Sequence, residues 1–435
     1  MIILIKTTWS GYINKSFPKL DKDISCDVLV VGGGICGILC AYCLKKKGKN
    51  VVLLEMDKIA GRKTVKTTAF ITAIEDLNYS DLIETIGYKN AKLYLEANLF
   101  ALGEYKKLAK EFDFDFEECP SYKYSLTDSK IIEIERNAII ALGCDVSLKD
   151  SIPIPLKITK ALEFPNQGQM NPTKLINELI KELNIYENTK VVNIKKGVAI
   201  TTDNKVEFKD VIVATGYPFL KIRGLYFMKM HQEKSHVIDV FSKPSFKGNG
   251  VGMDKNDIYF RNYKDSLILG SCDSQTGYYC DGYNPSLKLI ESEYGVNKIR
   301  YKWINIDAVT LDKIPYIGRF KKSDKNMYIA TGFNFWGMTK AMLSAHIISD
   351  LIMGKENKFA SLFSPQRPLV IKPLLKNIGS AIKGLVSFKT PRCKHLGCAL
   401  KFNTLDETYE CPCHGSKYDS DGKLIETPAQ SDIKL

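Results

Sequence analysis

The stretch Asp27-Val28-Leu29-Val30-Val31-Gly32-Gly33-Gly34-Ile35-Cys36-Gly37 decides the fold. Val28 to Val31 is a continuous aliphatic, β-branched run, which predicts a buried parallel strand. The glycines follow at once. An apolar helix then runs to about Lys47, and Gly48 ends it. A second strand, Val51 to Leu54, stops at Glu55. This is G-x-G-x-x-G in its strand–turn–helix setting, the fingerprint of a dinucleotide site. Gly32 permits the tight turn. Gly34 lets the backbone approach a pyrophosphate at the helix N-terminus, and Gly37 lets helix and strand pack closely. Glu55, 21 residues after Gly34, is placed to accept hydrogen bonds from a ribose. The fingerprint alone does not separate FAD from NAD.

Outward from this unit, residues 1–25 read as an N-terminal arm, aromatic from Trp9 to Leu20. After Glu55 comes AGRKTVKTTAFIT (60–72), then a polar helical stretch to about Lys110 and an aromatic cover from Phe112 to Tyr124. Asn171 to Leu183 predicts a helix with Pro172 near its start, and Glu187 to Ile194 a strand. Asp210 to Gly216 predicts a buried strand ending in the small residues Ala214, Thr215 and Gly216. Residues 225–310 alternate in β fashion, with a turn at Tyr263-Lys264-Asp265. They predict an antiparallel substrate sheet inserted between the dinucleotide-binding halves. Asn326 to Gly332 reads as a strand. Phe333 to Thr339 opens a long helix to about Met353, whose dipole and free N–H groups face a ligand. His346, inside that helix, reads as a core histidine.

The C-terminal stretch carries the second signal. Cys393-x-His395 is followed, after fifteen residues, by Cys411-x-x-His414. Two thiolates and two imidazoles on two loops are the donor set of a Rieske [2Fe–2S] centre. A Cys₂His₂ zinc knuckle uses the same four ligands, but it leaves Cys398, Cys413 and the string CPCHGS unexplained. Only five histidines occur in the chain, and two stand here. Ser364-Pro-Gln-Arg-Pro368 reads as a linker and Ile371 to Phe388 as one amphipathic helix. The cluster unit is then about fifty residues, so small that it needs staples and docking.

Composition bounds the rest. The chain has 435 residues, 62 basic and 49 acidic, for a net charge of +13. Only eight of the basic residues are arginine, and no aromatic-basic stripe stands out. Nucleic acid is therefore not an expected partner, whereas an acidic redox protein fits the charge. No apolar run approaches the roughly 18 residues of a membrane span, and the N-terminus lacks the marks of a signal peptide. A cytoplasmic location is expected. Of the twelve cysteines, Cys26, Cys36, Cys40, Cys43, Cys119, Cys144, Cys272 and Cys280 are scattered and read as small buried hydrophobes.

These pieces together resemble the FAD-dependent oxidoreductases of the D-amino-acid oxidase (DAO) class, fused to a C-terminal Rieske segment. The matching strings are DVLVVGGGICG, LLE, TTA (67–69), VIVATG, LDKIPYIGR and ATGFNFWGMTKAM, over roughly residues 8–355. The Rieske likeness adds the glycines, Ser416 and a third loop, Thr427-Pro428-Ala429. The resemblance implies an α/β (α+β) fold: a Rossmann-like FAD-binding domain with an inserted antiparallel sheet, plus a small β-rich cluster unit. The expected domains are the FAD-binding domain (26–225 and 310–356), the substrate sheet (226–309), a linker and helix (357–389) and the cluster unit (390–435). FAD is expected at Gly32, Gly34, Gly37, Glu55, Thr67, Thr68, Val191, Ala214, Thr215, Gly216, Gly332, Phe333, Gly337, Met338 and Thr339. The [2Fe–2S] ligands are expected to be Cys393, His395, Cys411 and His414. The likeness to one Rieske subclass also implies a Cys398–Cys413 disulfide, which cytosolic reduction opposes.

The sequence departs from the family where Arg62 replaces a usual glycine and Phe70 a usual lysine. Asp273-Ser274 lacks a usual histidine after the acid. The implied activity is oxidation of an amine or amino acid, its C–H giving a hydride to the flavin. Electrons then leave through the cluster to an external acceptor, not to oxygen. Such a transfer needs orientation more than a dedicated base. Arg261 as a carboxylate clamp, Asp307 and Tyr316 are the candidates near the ring. A redox-sensing or electron-transfer flavoprotein without turnover of its own remains the other reading of the same motifs.

Overall fold

The structure is a computed structural model. It describes residues 6–435 except 77, 221, 255–256, 369, 371–378, 380–384 and 386–390, and only the backbone of Cys272. Apart from Gly379 and Leu385, the helix expected over 371–388 lies outside the described residues.

The first glycine-rich unit folds as its sequence dictates. Ile24–Val31 lies inside an eight-stranded sheet of the described residues. It pairs in parallel with Val51–Leu54 on one side and Lys205–Gly216 on the other. Met327–Thr331 and Asn184–Tyr186 extend the parallel order outward, and Tyr316–Arg319 closes one edge antiparallel. Helix Ile35–Lys46 packs on helix Gly337–Ile352, which is largely apolar and buried from Met338 to Ser349 except at the half-buried His346. Two glycines are obligatory here. A Cβ on Gly37 would stand 1.9 Å from the Gly32 carbonyl oxygen, and one on Gly32 (φ +115°) would stand 2.5 Å from that of Ala214.

The strand expected over 187–194 is instead two strands, Asn184–Tyr186 and Val191–Lys195, separated by a turn. Glu187 breaks it. Its buried carboxylate accepts from the backbone N–H groups of Phe17 (3.1 Å) and Ile59 (2.8 Å) and from Lys58 Nζ (2.7 Å). Asn188 then turns at φ +51°. A side chain used inward to bind main chain cannot continue the strand alternation.

A nine-stranded sheet forms the second layer. Its central part, Met230–Phe241, Ser266–Gln275 and Ile258–Tyr263, with Ile299–Thr310 at the edge, is antiparallel. This sheet also draws on Glu117–Ser125 and Lys160–Gln169, so the aromatic cover read at 112–124 is largely a strand. Trp9 of the N-terminal arm is fully buried between the layers and donates from Nε1 to the Thr67 carbonyl at 2.6 Å.

The C-terminal unit is a four-stranded antiparallel sheet, Lys401–Asn403, Thr408–Glu410, Lys417–Tyr418 and Leu424–Glu426. Its own apolar core is small, eight buried residues, four of them cysteines. It seats on the second layer through polar contacts. Gln232 Nε2 donates to the His414 carbonyl (3.0 Å) and the Thr427 carbonyl (2.6 Å). Gln275 Nε2 donates to the Pro412 carbonyl (3.0 Å). Gly277 approaches so closely that a Cβ there would meet Pro412 at 2.9 Å. Residues 385–435 expressed alone are therefore expected to incorporate iron poorly. Iron-to-protein ratio checks this against the full chain, and a fully loaded fragment would contradict it.

Candidate functional site

One cavity runs from the glycine-rich turn to the start of helix Gly337–Ile352. Gly32, Gly34, Glu55, Thr67, Val191, Ala214, Thr215, Gly216, Phe333, Gly337 and Met338 all line it. Four other expected contacts lie elsewhere. Gly37 serves the helix–strand packing, and Thr68 lines a neighbouring cavity. Gly332 sits against Thr310, where a Cβ would come within 2.3 Å of Cγ2. Thr339 is buried, its hydroxyl donating to the Thr72 carbonyl at 3.4 Å. Glu55 accepts from Gly33 N–H (2.7 Å) and Asp57 N–H (2.9 Å), and burial raises its carboxyl above the ordinary value. The site fits a flavin dinucleotide. The glycine cradle is open to a pyrophosphate, and a buried acceptor stands at the ribose end.

Sequence reasoning missed part of this wall. Lys63 lines the cavity, its Nζ 3.3 Å from Gln232 Oε1 and 3.5 Å from Asp307 Oδ1. Tyr217 and Asn305 line it too, as do Glu426, Thr427 and Gln430 of the C-terminal unit. Lys190 Nζ holds the Gln430 carbonyl at 2.8 Å, and an Arg62 Nη donates to the Ile425 carbonyl at 3.4 Å. Lys63 and Arg62 stand in the quoted AGRKT segment. The reach of the third loop had no local signal.

The three residues named near the ring fare differently. Asp307 lines the cavity and accepts from Phe335 N–H at 2.9 Å, which fixes the turn before the helix. Arg261 is corrected: it clamps no ligand. It is 1% exposed, and its guanidinium donates to the carbonyls of Thr68, Ala69, Met170 and Asn262 while lying over Trp9. A buried guanidinium needs that many acceptors, so the arm and the second layer consume it. Tyr316 is also corrected. It is buried against Arg367 and Tyr226 and lines neither cavity.

The cluster loops share one hydrogen-bond pattern. Cys393 N–H donates to the Cys398 carbonyl and Gly397 N–H to that of Cys393. Cys411 N–H donates to the Ser416 carbonyl and Gly415 N–H to that of Cys411, each at 2.9 Å. The four cysteines at 393, 398, 411 and 413 and the two histidines are all buried. The sulfurs of Cys398, Cys411 and Cys413 lie within 4.8 Å of one another, and contact with the Cys411 thiol, then burial, pushes the Cys393 thiol up. Cys398 and Cys413, the pair the Rieske likeness expects to be bridged, stand together in this group. The rings of His395 and His414 stand 4.9 Å apart, and His414 Nδ1 is buried with no hydrogen-bond partner among the described residues. Paired thiols beside two imidazoles, one with an orphaned buried nitrogen, suit a [2Fe–2S] cluster.

Tyr418 Oη lies 3.6 Å from Cys393 Sγ and accepts from Lys394 N–H, leaving its own proton for the sulfur. A bond to a charged sulfur is worth about 1.5–3 kcal/mol. If about 1 kcal/mol of it distinguishes the two redox states, Tyr418→Phe lowers the cluster potential by about 40 mV. Redox titration of the cluster checks this.

Residues 27–351 match the family model of the FAD dependent oxidoreductases. The chain belongs to that family. Residues 381–435 of the oxidoreductase match the Rieske [2Fe-2S] domain model, and the protein binds FAD and a [2Fe–2S] cluster. A relative in Bacillus subtilis (strain 168), "Putative Rieske 2Fe-2S iron-sulfur protein YhfW", is 31% identical over 96% of this chain and 95% of its own. Gamma-glutamylputrescine oxidoreductase of Escherichia coli (strain K12) is 24% identical over 79% of this chain and 87% of its own. Among solved structures, glycine oxidase from Geobacillus kaustophilus superposes with TM-score 0.67 at 17% identity, over 80% of this chain and all of its own. No helix among the described residues is long and apolar enough to cross a membrane.

Proposed function

We propose that the oxidoreductase is a cytoplasmic dehydrogenase that oxidises an amine or amino acid at its C–N bond, and that the electrons leave through the Rieske cluster to an external acceptor. When bound, FAD supplies a two-electron acceptor for a hydride from the C–H beside nitrogen, and the cluster supplies a one-electron carrier. The observation that carries this reading is the placement of the cluster histidines. The His395 ring lies 6.4 Å, edge-on, from Tyr217, which lines the FAD cavity next to Ala214–Gly216. His414 lies 5.7 Å from Phe227, and Gln232 ties the His414 carbonyl to Lys63 in the cavity wall. Thus Tyr217 and Gln232 bridge the two cofactor sites with packed protein that excludes water. The relatives named for gamma-glutamylputrescine and glycine support a nitrogen-bearing substrate.

The chain's own residues orient the reaction. Thr67, Asn305, Phe335 and Met338 line both the FAD cavity and the cavity beside it, where a substrate would meet the ring. Asp307, held by Phe335 N–H and Lys63, positions this turn. The basic surface, +13 overall, suits an acidic acceptor protein. Anaerobic bleaching of the flavin across a panel of amines and amino acids tests the proposal. Bleaching by a member of the panel is expected. A flavin reduced by a carrier protein and by none of the panel would favour the redox-sensing reading.

A further inference from the structure

The cavity beside the FAD site is a chamber with aromatic and acidic walls. Phe70, Tyr259 and Trp336 line it, with Asp76 and Asp273. The Phe70 ring stands 6.1 Å from Trp336 and 6.4 Å from Tyr259. Trp336 Nε1 donates to Asp76 Oδ1 at 2.6 Å and fixes that carboxylate in the wall. Asp76, Tyr259 and Asp273 also line a third cavity, which leads out to Tyr279, 88% exposed. There Asp254, Asp257 and Asp281 stand with Lys313. Five carboxyl groups thus stand along the passage from solvent, against Lys313 in its outer part and Lys66 in the chamber wall.

Two of the cations near the chamber are engaged elsewhere. Arg261 is bound to four carbonyls, and Lys63 faces Gln232 and Asp307 on the FAD side. Lys66 contributes to the wall half-buried, and desolvation, with Lys417, Arg62 and Lys63, pulls its ammonium below its ordinary value against Glu426. Asp273 opens on the chamber yet is ringed by protein. Desolvation raises its carboxyl to about 7, with Asp76 and Glu233 adding to the rise against Ser235 and His236. No lysine or arginine among the described residues neutralises it. Asn305 Oδ1, at the junction with the FAD cavity, is buried and accepts no hydrogen bond among the described residues. Carboxylates, an orphaned acceptor and aromatic faces are what an ammonium's donors and charge recognise. A carboxylate in the same chamber would meet like charge.

We infer that the substrate is a di- or polyamine without a carboxylate, its distal ammonium held between Asp76, Asp273 and the aromatic walls while its other amine carbon faces the flavin. This rests on the proposed amine oxidation and narrows its substrate class. In that reaction the C–H beside the proximal amine breaks, the hydride pair goes to FAD, and the C–N bond becomes C=N.

The test compares 1,4-diaminobutane with ornithine, the same chain bearing a carboxylate, as anaerobic reductants of the holoenzyme's flavin. The diamine is expected to be at least about 100-fold more efficient. Asp76→Asn and Asp273→Asn are each expected to raise its half-saturation about 10-fold or more, with a smaller effect on the limiting rate and with FAD content retained. Equal or better reduction by ornithine overturns the inference, as does an unchanged half-saturation in both variants. If no amine reduces the flavin, the proposed function fails, and binding decides the inference by itself. An unreactive 1,6-bis(trimethylammonio)hexane should then perturb the oxidised flavin spectrum and adipate should not. Perturbation by adipate, or by neither, overturns it.

Discussion

Lys234→Met is expected to undock the cluster unit from the flavoprotein. Lys234 projects from strand Met230–Phe241, its side chain 1% exposed, and its ammonium bonds Asp406 Oδ2 (3.1 Å) and Glu410 Oε1 (3.0 Å) of the C-terminal unit. Lys417 reaches the same carboxylates at 3.1 and 3.4 Å, and His236 Nε2 stands 3.4 Å from Asp406 Oδ1. Methionine keeps the volume and removes the charge, leaving two buried carboxylates to one lysine. Breaking such a buried network costs about 3–5 kcal/mol. A core of eight buried residues cannot absorb that. Thermal unfolding should then show an early transition for the C-terminal unit, and proteolysis should cut the segment before it faster. A melting curve that matches wild type would contradict this.

The same network sets a pH window. Burial pushes the Asp406 carboxyl up, but His236, Lys417 and Lys234 hold it far below the usual range. Burial pulls the Lys234 ammonium down, but Glu410 and Asp406 raise it above its ordinary value. A depressed acid contributes stability above its unfolded pKa of about 3.9, lost as pH falls toward the folded value. A raised lysine contributes below about 10.4, lost as pH rises past the folded value. Burial pulls the His236 imidazole down, but Asp406 and Cys280 raise it above its ordinary value. Docking should therefore be level from about pH 5 to the unfolded histidine value of about 6.5, and weaken as pH rises through the folded one.

Gly37→Ala is the second large effect. The new Cβ would sit 1.9 Å from the Gly32 oxygen and 3.1 Å from its carbonyl carbon, both backbone atoms. No side chain can move aside, so helix Ile35–Lys46 must lift from strand Ile24–Val31. A cost of at least about 3 kcal/mol is expected, with FAD affinity lowered about 100-fold or more. Gly34→Ala separates fold from cofactor. There the Cβ would meet only Thr64 Oγ1, at 3.3 Å. That variant should fold with near-normal stability yet bind FAD poorly, because the methyl occupies the pyrophosphate approach. Bound flavin measured by absorbance, beside thermal stability, checks both.

Local patterns made the two candidate cofactor sites legible. The glycines at 32, 34 and 37 and the cysteines and histidines after 392 each lie within a few residues of their partners, so spacing alone carries their chemistry. Contacts between distant segments were not legible. Arg261 looks like a carboxylate clamp in sequence, and nothing near it announces that Thr68, Ala69 and Met170 supply its acceptors. Glu187 lies in a strand-like run, and only the fold brings Phe17 and Ile59 to its carboxylate. Glu426, Thr427 and Gln430 belong to a loop read through its cluster, but the docking of that loop makes it a wall of the FAD cavity. Tyr217 follows the small residues of the FAD strand and gives no sign that it faces His395.

The most direct measurement is anaerobic rapid mixing of holoenzyme with a reducing amine, followed by flavin absorbance and freeze-quenched EPR of the cluster. The flavin should bleach first, and the reduced Rieske signal should then grow in the same molecules without added mediator. A flavin that bleaches fully while the cluster stays oxidised would contradict the passage of electrons from FAD to the cluster.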